Sequence, residues 1–553
     1  MTSMNRRDFL KGAAVTGGAA ALMGLAGCSP QGSKASKETS DTATASNAHP
    51  WETTPEPIAD IAETKDYDIV IVGAGIAGLS AAEAAARSGA KTVVLDRAGQ
   101  CSGRGQDFGG IGARVQIENG VNVDPEEAAR LLHQSSMQMA NYNLIYTWAS
   151  RSGKVFDHIE EIAKDQGYQI IPADGSSGTA KFGWNVLEER FRVLQTGMNV
   201  LTAEGENLYP TPMCTILETA ASSAGAEFVY NTHAEQLVGN ASEGITGVIV
   251  TAEDGKHVQY NAAKGVILAT GDIGGSEEML KAWCPIALRA DANGYMPEGC
   301  NTGDGLLMGL WAGAALSRST PAHMVHQFAF DNYDFPLTSF YMAWLNVDRR
   351  GIRYGADLPF EPYLTNARMC TPGNVAWSIF DSDYDIYVKR QQPDTYDSVL
   401  SWAPEAIEEF QGTEFLYKAD TIEELAGLIS VPADALQNTI DHYNELFESG
   451  EDPDFGVPAQ FLSQVKTPPF YATPNLCSTL VVPYGLHVND DSQVCTEEDE
   501  PIAGLFAIGN VQGDFFSFEY PVHCPGVSHG RCITFGQLVG EALAHDTVIT
   551  QTV

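Results

Sequence analysis

Four short runs dominated by apolar residues stand out along the chain, at residues 68–72, 91–95, 266–271 and 504–510. None of them alternates between apolar and polar positions. Strands of this kind are typical of parallel sheets that are covered on both faces. An alanine-rich stretch at residues 81–87 follows the first run and predicts a helix. The order of strand, helix and strand therefore predicts an α/β fold.

A further helix is predicted near the C-terminus, where apolar residues recur at spacings of three and four. These positions are Phe535, Leu538, Val539, Ala542 and Leu543. They form one apolar stripe along a helix. Ser528 precedes the stripe as a candidate N-cap, while Gly526 and Gly530 let the backbone approach a ligand closely.

The turn between the first strand and its helix carries the pattern G-x-G-x-x-G at Gly73, Gly75 and Gly78. The first glycine allows a tight turn, the second lets the backbone approach a pyrophosphate, and the third lets helix and strand pack closely. The pyrophosphate then lies on the helix N-terminus, whose free N–H groups and dipole favour an anion. The second strand ends at Asp96, which is placed to accept hydrogen bonds from a ribose. Together these elements predict a dinucleotide-binding site.

The N-terminus predicts export. Arg6 and Arg7 form a twin-arginine string, and the apolar run after them, at residues 12–27, is shorter than the roughly 20 residues of a spanning helix. Residues 1–28 are therefore interpreted as a twin-arginine signal. The export route that reads this signal carries folded proteins. Leu-Ala-Gly-Cys28 resembles a lipoprotein cleavage box, which makes Cys28 a candidate lipid anchor; alternatively the signal is cut elsewhere. Residues 29–65 are rich in Ser, Thr, Ala and Pro and predict a flexible tether.

Composition and charge exclude several function classes. The formal net charge of -39 repels phosphate backbones, which excludes nucleic acid as a partner. The ten cysteines form no CxxC or CxxCH pattern, which excludes an internal c-type haem, a zinc ribbon and a ferredoxin-type cluster. The segment HCPGVSHGRC at residues 523–532 holds two histidines and two cysteines, but their spacing matches no zinc pattern. No metal is predicted.

From about residue 67 onward the chain resembles the superfamily of FAD-dependent fumarate reductases and 3-ketosteroid dehydrogenases. The resemblance rests on the glycine fingerprint and on strings at residues 269–271, 301–305, 467–472, 504–510 and 526–536. It implies a Rossmann-like FAD-binding domain of the glutathione-reductase type with an inserted α+β capping domain. The implied bounds are 66–320 and 481–553 for the FAD-binding domain and 321–480 for the capping domain, with the catalytic cleft between them.

The resemblance also implies which residues hold FAD. Asp304 and Asn510 are expected on ribityl hydroxyls or on the flavin ring, although each also suits an ordinary turn or helix cap. No histidine lies between Arg97 and Ala113, where covalently flavinylated relatives attach the ring, so we expect non-covalent FAD. The full set of expected FAD-binding residues is Gly73, Gly75, Gly78, Asp96, Gly109, Gly110, Thr270, Gly271, Asp304, Gly509, Asn510, Gly526 and Ser528.

Two departures from the fumarate reductases bear on the substrate. The proton-donating arginine of that family falls on Glu361, and its carboxylate-binding histidine falls on Leu480. Both changes remove positive charge, so a C4-dicarboxylate such as fumarate is not expected. Aromatic residues near the implied flavin face favour an aromatic or steroid-like small molecule, although most of them also suit a core. These residues are Phe340, Tyr341, Trp344, Tyr484, Phe515, Phe516, Phe518 and Tyr520.

The expected catalytic residues follow from the same resemblance. Tyr520 and the N–H of Gly526 are the candidate pair for a substrate carbonyl, because they resemble the tyrosine and glycine of ketosteroid dehydrogenases, with two extra residues between them. The candidates for proton handling are Glu361, Arg368 and His529, each of which also suits a surface or salt-bridge role. His529 and Arg531 are also candidates for contact with the flavin or the substrate.

Three function classes remain open. The first is a reductase of an activated C=C bond that ends anaerobic electron transfer, and the second is a ketosteroid-type dehydrogenase that forms such a bond. The third is a flavoprotein or solute-binding lipoprotein without this chemistry. Because the chain has neither a haem motif nor a second G-x-G-x-x-G, electrons are expected from a separate membrane-associated donor. The expected location is the outer face of the cytoplasmic membrane.

Overall fold

The computed structural model forms two units, residues 1–48 and 49–553, and the description below concerns the second. The export signal and Cys28 lie outside the described residues, as do Glu361, Phe340 and Tyr341. Within the described part no helix is both long and apolar enough to cross a bilayer. The described residues are 49–551 except 104–106, 174–193, 207, 209–210, 294–298, 327–336, 339–341, 359–361 and 394–395.

Strands and helices alternate through most of the described chain. The strands are β1 (Ile61–Val72), β2 (Thr92–Leu95), β3 (Phe108–Gly109), β4 (Tyr168–Pro172), β5 (Gly197–Thr202), β6 (Glu227–Val229), β7 (His233–Asn240), β8 (Gly244–Thr251), β9 (His257–Leu268), β10 (Ala292–Asn293), β11 (Met324–His326), β12 (Leu345–Asp348), β13 (Ala376–Asp381), β14 (Tyr417–Ala419), β15 (Phe470–Pro474), β16 (Ser478–Val481), β17 (Gln493–Cys495) and β18 (Pro501–Ala507). The helices are α1 (Ile76–Arg87), α2 (Arg114–Glu118), α3 (Pro125–Ser135), α4 (Tyr142–Asp165), α5 (Met213–Ser223), α6 (Glu277–Trp283), α7 (Asp304–Trp311), α8 (Pro362–Met369), α9 (Tyr384–Gln391), α10 (Tyr396–Phe410), α11 (Ile422–Leu428), α12 (Ala433–Ser449) and α13 (Val527–Ala544).

The main sheet has eight strands, in the order β17-β18-β9-β1-β2-β6, with the β7-β8 hairpin joined to it through β8 and β9. The strands β18, β9, β1, β2 and β6 are parallel, as the non-alternating apolar runs predict. The residues Val70, Ile71, Val266 and Ile267 at the centre of this sheet are fully buried. All four predicted strands are therefore confirmed, and so is the α/β fold class.

The two predicted helices pack against each other beside this sheet. Small side chains let α1 bury all but one of its residues, and α13 is buried along most of its length. The prediction that Ser528 caps α13 is wrong. The helix begins at Val527, and the capping position is Gly526 with a left-handed φ of 71°. Glycine adopts that conformation without the steric cost of a Cβ atom.

Residues 49–65 correct the predicted tether at its C-terminal end, because they are folded. The indole Nε1 of Trp311 donates to the carbonyl of Pro50 at 2.8 Å. Strand β1 begins at Ile61, which pairs with His257 of β9. The beginning of β1 is mostly exposed, so it carries the polar residues that make the sequence resemble a tether.

A second, antiparallel sheet occupies residues 345–474, in the order β12-β13-β15-β14. It has hydrophobic clusters of its own, one around Leu345, Ile379 and Leu436 and another around Trp344 and Phe380. A small sheet of β10, β16 and β11 draws strands from both sides of the implied boundary at residues 320 and 321. The antiparallel sheet lies within the expected capping domain, whose bounds stay a prediction.

Candidate cofactor and active site

A cavity of about 920 Å³ lies at the carboxyl ends of strands β1, β2 and β9. Val72, Leu95 and Ala269 contribute to its wall where these strands end. The N-termini of α1, α7 and α13 begin at the same cavity, and Asp304 and Ser528 mark two of them. Ligands of open parallel sheets bind at this edge, and the volume is within the range of small-molecule sites.

The three fingerprint glycines have the spatial roles that their spacing predicts. Gly73 has a φ of 112°, and a Cβ atom there would lie 2.4 Å from the carbonyl oxygen of Ala269. A Cβ atom on Gly78 would lie 1.9 Å from the carbonyl oxygen of Gly73. Gly75 caps α1 and lines the cavity. At Gly73 and Gly78 the backbone is thus packed too tightly for a side chain. The turn presents the N-terminal end of α1 to the cavity.

Asp96 lies on the cavity wall at the end of β2. Its carboxylate accepts hydrogen bonds from the backbone N–H groups of Ala74, at 2.6 Å, and Ala98, at 2.7 Å. Burial raises the pKa of this carboxyl, although both hydrogen bonds oppose the shift. The two bonds hold Asp96 in place beside the fingerprint turn, and its contact with a ribose stays a prediction.

Asp304 also lines the cavity, and its partners lie near Asp96. It accepts hydrogen bonds from Arg97 Nη1 at 3.0 Å, His233 Nε2 at 3.1 Å and Thr302 Oγ1 at 2.7 Å. Asp304 and Asn510 were expected on the same part of the cofactor, whereas the structure gives them separate partners. Sequence reasoning missed Arg97 and His233, because the chain gives no local sign that residues so far apart meet.

Thr270 and Gly271 follow β9 and line the cavity. The hydroxyl of Thr270 is buried and has no hydrogen-bond partner within the described residues. Gly271 has a φ of 82°, and a Cβ atom there would lie 2.7 Å from the side chain of Asn301. A buried, unpaired hydroxyl on a cavity wall is a group that a polar ligand satisfies.

Asn510 lines the cavity and is fixed at both ends of its amide. Nδ2 donates to Asp272 at 3.0 Å, while Oδ1 accepts from Arg531 at 2.7 Å and from the Ser528 hydroxyl at 3.4 Å. Gly509 precedes it with a φ of 69° and also lines the cavity. The amide orientation follows from these partners, since a carboxylate only accepts and a guanidinium only donates.

Arg531 was expected to contact the flavin or the substrate, and the structure corrects that expectation. Its side chain is 1% exposed and lies behind Asn510 instead of on the cavity wall. Nη1 donates to the carbonyl of Gly509 at 2.8 Å and to Gln512 at 3.1 Å. Its guanidinium carbon lies 4.6 Å from the Phe516 ring centre. Arg531 therefore positions Asn510 and the turn around it, and burial lowers its pKa.

Gly109, Gly110 and Gly526 do not line the described cavity, so their expected contact with FAD and the carbonyl-binding role of the Gly526 N–H stay predictions. The Gly109 N–H donates to the Gly526 carbonyl at 2.7 Å, and a Cβ atom on Gly526 would lie 2.5 Å from Gly109 N. Gly110 packs against Phe156 and Met198. These glycines bring β3 and the start of α13 into close contact, and so place Ser528 on the wall.

His529 lines the cavity next to Ser528. Its Nδ1 lies 3.0 Å from the carbonyl oxygen of Asp107, and its ring is tilted against Phe108. Because a carbonyl only accepts hydrogen bonds, Nδ1 carries a proton. The predicted position of His529 on the cavity is thus supported, and its tautomer is set by the backbone.

Three apolar residues and one phenol line the same cavity. Met324, Leu480 and Val481, from β11 and β16, line the cavity together with Tyr520. Burial raises the pKa of the Tyr520 phenol, although a hydrogen bond with Ser528 and the charge of Arg531 oppose the shift. Tyr520 is therefore protonated near neutral pH and can donate a hydrogen bond. Leu480, the position expected to correspond to the carboxylate-binding histidine of fumarate reductases, is one of these lining residues.

Arg368 does not reach the described cavity wall, which corrects its expected role in proton handling. The side chain is 4% exposed and forms a 2.7 Å ion pair with Asp291. It also contacts the sulfur of Cys477 at 2.9 Å and Asn374 at 3.1 Å. Arg368 thus ties α8 to the segment before β16. Glu361, the other candidate, lies outside the described residues.

The other aromatic candidates divide between core and surface. Trp344, Phe515 and Phe516 are buried, and Phe518 is exposed with a left-handed φ of 58°. The Tyr484 hydroxyl donates to the carbonyl of Ser317 at 3.4 Å. Among these described residues only Tyr520 lines the cavity. No group of three His, Cys, Asp or Glu in the described part of the chain is arranged for a metal ion.

The family model described as FAD binding domain matches residues 68–521. The chain belongs to this family. A second model, for the twin-arginine translocation pathway signal sequence, matches residues 3–23 and shows that the chain carries an export signal. FAD is therefore the cofactor, and the cavity fits it. The turn of Gly73 and Gly75 leaves room for a pyrophosphate at the N-terminus of α1. The buried Thr270 hydroxyl has no hydrogen-bond partner among the described residues, so a polar group of the cofactor can bond to it.

Relatives of the chain are named as reductases and dehydrogenases. "Probable fumarate reductase Ifc3" of Shewanella frigidimarina is 25% identical, over 90% of this chain and 81% of its own. "Vinyl phenol reductase" of Lactiplantibacillus plantarum is 25% identical, over 88% and 98%. The fold is shared with the 3-ketosteroid-Δ4-(5α)-dehydrogenase of Rhodococcus jostii RHA1, with a TM-score of 0.69, 21% identity and coverage of 87% and 97%. The chain is an FAD-dependent oxidoreductase.

Proposed function

We propose that this exported oxidoreductase reduces an activated C=C bond in an uncharged aromatic or steroid-like molecule. The observation that carries the proposal is that Met324, Leu480 and Val481, on the paired strands β11 and β16, line the same cavity as the Tyr520 phenol. A planar apolar molecule with one carbonyl matches such a surface. When bound and reduced, FAD would supply the hydride to the β-carbon of the double bond, and the carbon next to the carbonyl then takes a proton.

The chain's own residues then polarise the substrate. Tyr520 donates a hydrogen bond to the carbonyl oxygen, where negative charge develops as the double bond accepts the hydride. The raised pKa of Tyr520 keeps this donor protonated. His529, on the same cavity, is the described candidate for passing a proton to the neighbouring carbon.

The charge distribution argues against a dicarboxylate. Arg97 and His233 line the cavity, but both are bound to Asp304 on the Asp96 side. Met324, Leu480 and Val481 offer no charge to a substrate carboxylate. A dicarboxylate held against this wall would lose hydration without gaining an ion pair. Fumarate is therefore a poor substrate in this proposal, although a relative is named a fumarate reductase.

The second candidate is a dehydrogenase that introduces the C=C bond. The shared fold with a 3-ketosteroid dehydrogenase supports it, because the same phenol also stabilises an enolate formed by proton removal. The name of the vinyl phenol reductase relative supports the reductive direction. The direction of flux depends on the redox partner, for which we propose a membrane-associated electron donor at the outer face of the cytoplasmic membrane. In this proposal the reaction is the terminal step of anaerobic electron transfer, and Cys28 carries the lipid anchor.

Anaerobic assays with reduced viologen as electron donor test the proposal. We expect oxidation of the dye with uncharged aryl enones and enone steroids, and little with fumarate or with NADH in place of the dye. The reverse assay supplies the saturated ketones with an artificial electron acceptor. Turnover only in the reverse assay would establish the dehydrogenase, and turnover in neither would refute both candidates.

A further inference from the structure

Three chain segments meet on the cavity wall at its Asp96 side. Arg97 follows β2, His233 begins β7 and Asp304 begins α7, and all three line the cavity. Asp304 Oδ2 accepts from both Arg97 Nη1, at 3.0 Å, and His233 Nε2, at 3.1 Å. Thr302 Oγ1 donates to the other carboxylate oxygen at 2.7 Å. One carboxylate therefore joins the three segments.

The geometry of His233 requires two protons on its ring. Nε2 faces Asp304, and Nδ1 lies 2.9 Å from Glu235 Oε1, which also accepts from the Thr251 hydroxyl. Carboxylates only accept hydrogen bonds, so both ring nitrogens must donate. The hydrogen bond to Asp304 raises the pKa of His233, and burial opposes the shift. A neutral imidazole has a single N–H and loses one of the two contacts.

The export signal makes the retention of FAD consequential. The twin-arginine model matches residues 3–23, and that route moves proteins that have already folded with their cofactor. Outside the membrane a lost FAD has no ready replacement. We propose that Arg97, Asp304 and His233 form a latch on the wall of the cofactor cavity that slows FAD release, and that the latch weakens when His233 loses its proton.

The direction in which pH changes the rate of FAD release follows from the charges around His233. Its ring faces the carboxylates of Asp304 and Glu235, and Arg97 binds the same Asp304 carboxylate. The pKa of His233 is raised above its ordinary value, so all contacts of the latch are present below that pKa, and the contacts of His233 weaken as pH rises through it while the Arg97–Asp304 ion pair remains. Burial favours protonated Asp304, yet its hydrogen bonds and Arg97 lower the pKa of that carboxyl overall. Asp304 therefore remains ionised on the acid side of this window.

The test is the rate at which the purified holoenzyme releases FAD, followed by the fluorescence of the freed flavin. The variants are His233→Gln, which is neutral at every pH, and Glu235→Gln, which removes one of the two carboxylates. His442→Gln is the matched control, because His442 also faces two carboxylates, Asp454 at 2.8 Å and Glu445 at 3.8 Å, but lies on α12 in the antiparallel-sheet region.

We expect native enzyme to release FAD about fivefold faster at about pH 9 than at about pH 6, the scale of one half-exposed ion pair. His233→Gln should release FAD fast at both pH values, Glu235→Gln should move the transition to lower pH, and His442→Gln should match the native profile. A release rate that does not depend on pH in the native enzyme, or a His233→Gln variant with the native profile, would overturn the proposal. Because the readout is cofactor release, the result does not depend on the identity of the substrate.

Discussion

Substitution of Gly530 by alanine gives a sharp test of how the cofactor site is assembled. Gly530 lies in the first turns of α13, directly against β3. A Cβ atom there would lie 1.6 Å from the carbonyl oxygen of Gly109. A tolerable contact needs at least 3.0 Å, so β3 and α13 must separate by about 1.4 Å. That carbonyl also accepts from Trp148 Nε1 at 3.1 Å, and the Gly109 N–H donates to Gly526 at 2.7 Å.

The cost follows from these contacts. Two buried hydrogen bonds are stretched, each costing about 1–3 kcal/mol when left unmade, and overpacking adds about 1–3 kcal/mol. We expect Gly530→Ala to lower the free energy of unfolding by about 3–9 kcal/mol and to weaken FAD binding, because Ser528 and His529 move with α13. Gly427→Ala is the matched control. It also lies within a helix, α11, has open space at its Cβ position, and should gain about 1 kcal/mol in helix propensity.

The assay is urea unfolding of both variants, followed by circular dichroism, together with FAD titration of the apoprotein. A Gly530→Ala protein that unfolds at the native urea concentration and keeps its flavin would refute the packing of α13 on β3 described above.

Three further predictions concern the cavity. Tyr520→Phe should lower kcat/KM about a hundredfold with FAD absorbance unchanged, and an unchanged rate would remove Tyr520 from the site. Leu480→His should increase the apparent affinity for an anionic aryl enoate at acid pH, where the new imidazole is charged, with Leu428→His on the surface of α11 as control; equal KM values in the two variants would argue against Leu480 facing the substrate. Arg531→Met should lower the free energy of unfolding by about 3–5 kcal/mol, because it removes the guanidinium donor to Asn510 Oδ1, Gln512 Oε1 and the Gly509 carbonyl, and native stability in urea would contradict that network.

Sequence periodicity was sufficient for four of the eight strands of the main sheet. Runs without alternation predicted parallel strands, and the spacing of Gly73, Gly75 and Gly78 predicted the turn on which FAD binding depends, because both patterns are local consequences of burial and backbone contact. The cavity edge formed by the ends of these strands follows from the same pattern.

Side-chain direction was not predictable from local patterns. Arg531 and His529 lie in one short helical stretch, yet one faces the interior and the other the cavity. The meeting of Arg97, His233 and Asp304 depends on packing between distant segments, which no local pattern records. The folded residues 49–65 were mistaken for a tether because a half-exposed strand has a polar sequence. In each case the deciding contact is tertiary.

The most direct test of the proposed reaction is a single turnover. The purified enzyme, with its FAD reduced under anaerobic conditions, is mixed with one equivalent of an uncharged aryl enone or, separately, of fumarate, and the return of oxidised-flavin absorbance is followed. We predict rapid and stoichiometric reoxidation by the enone, with the saturated ketone as product, and slow or no reoxidation by fumarate. Rapid reoxidation by fumarate, or none by any uncharged enone, would contradict the proposal.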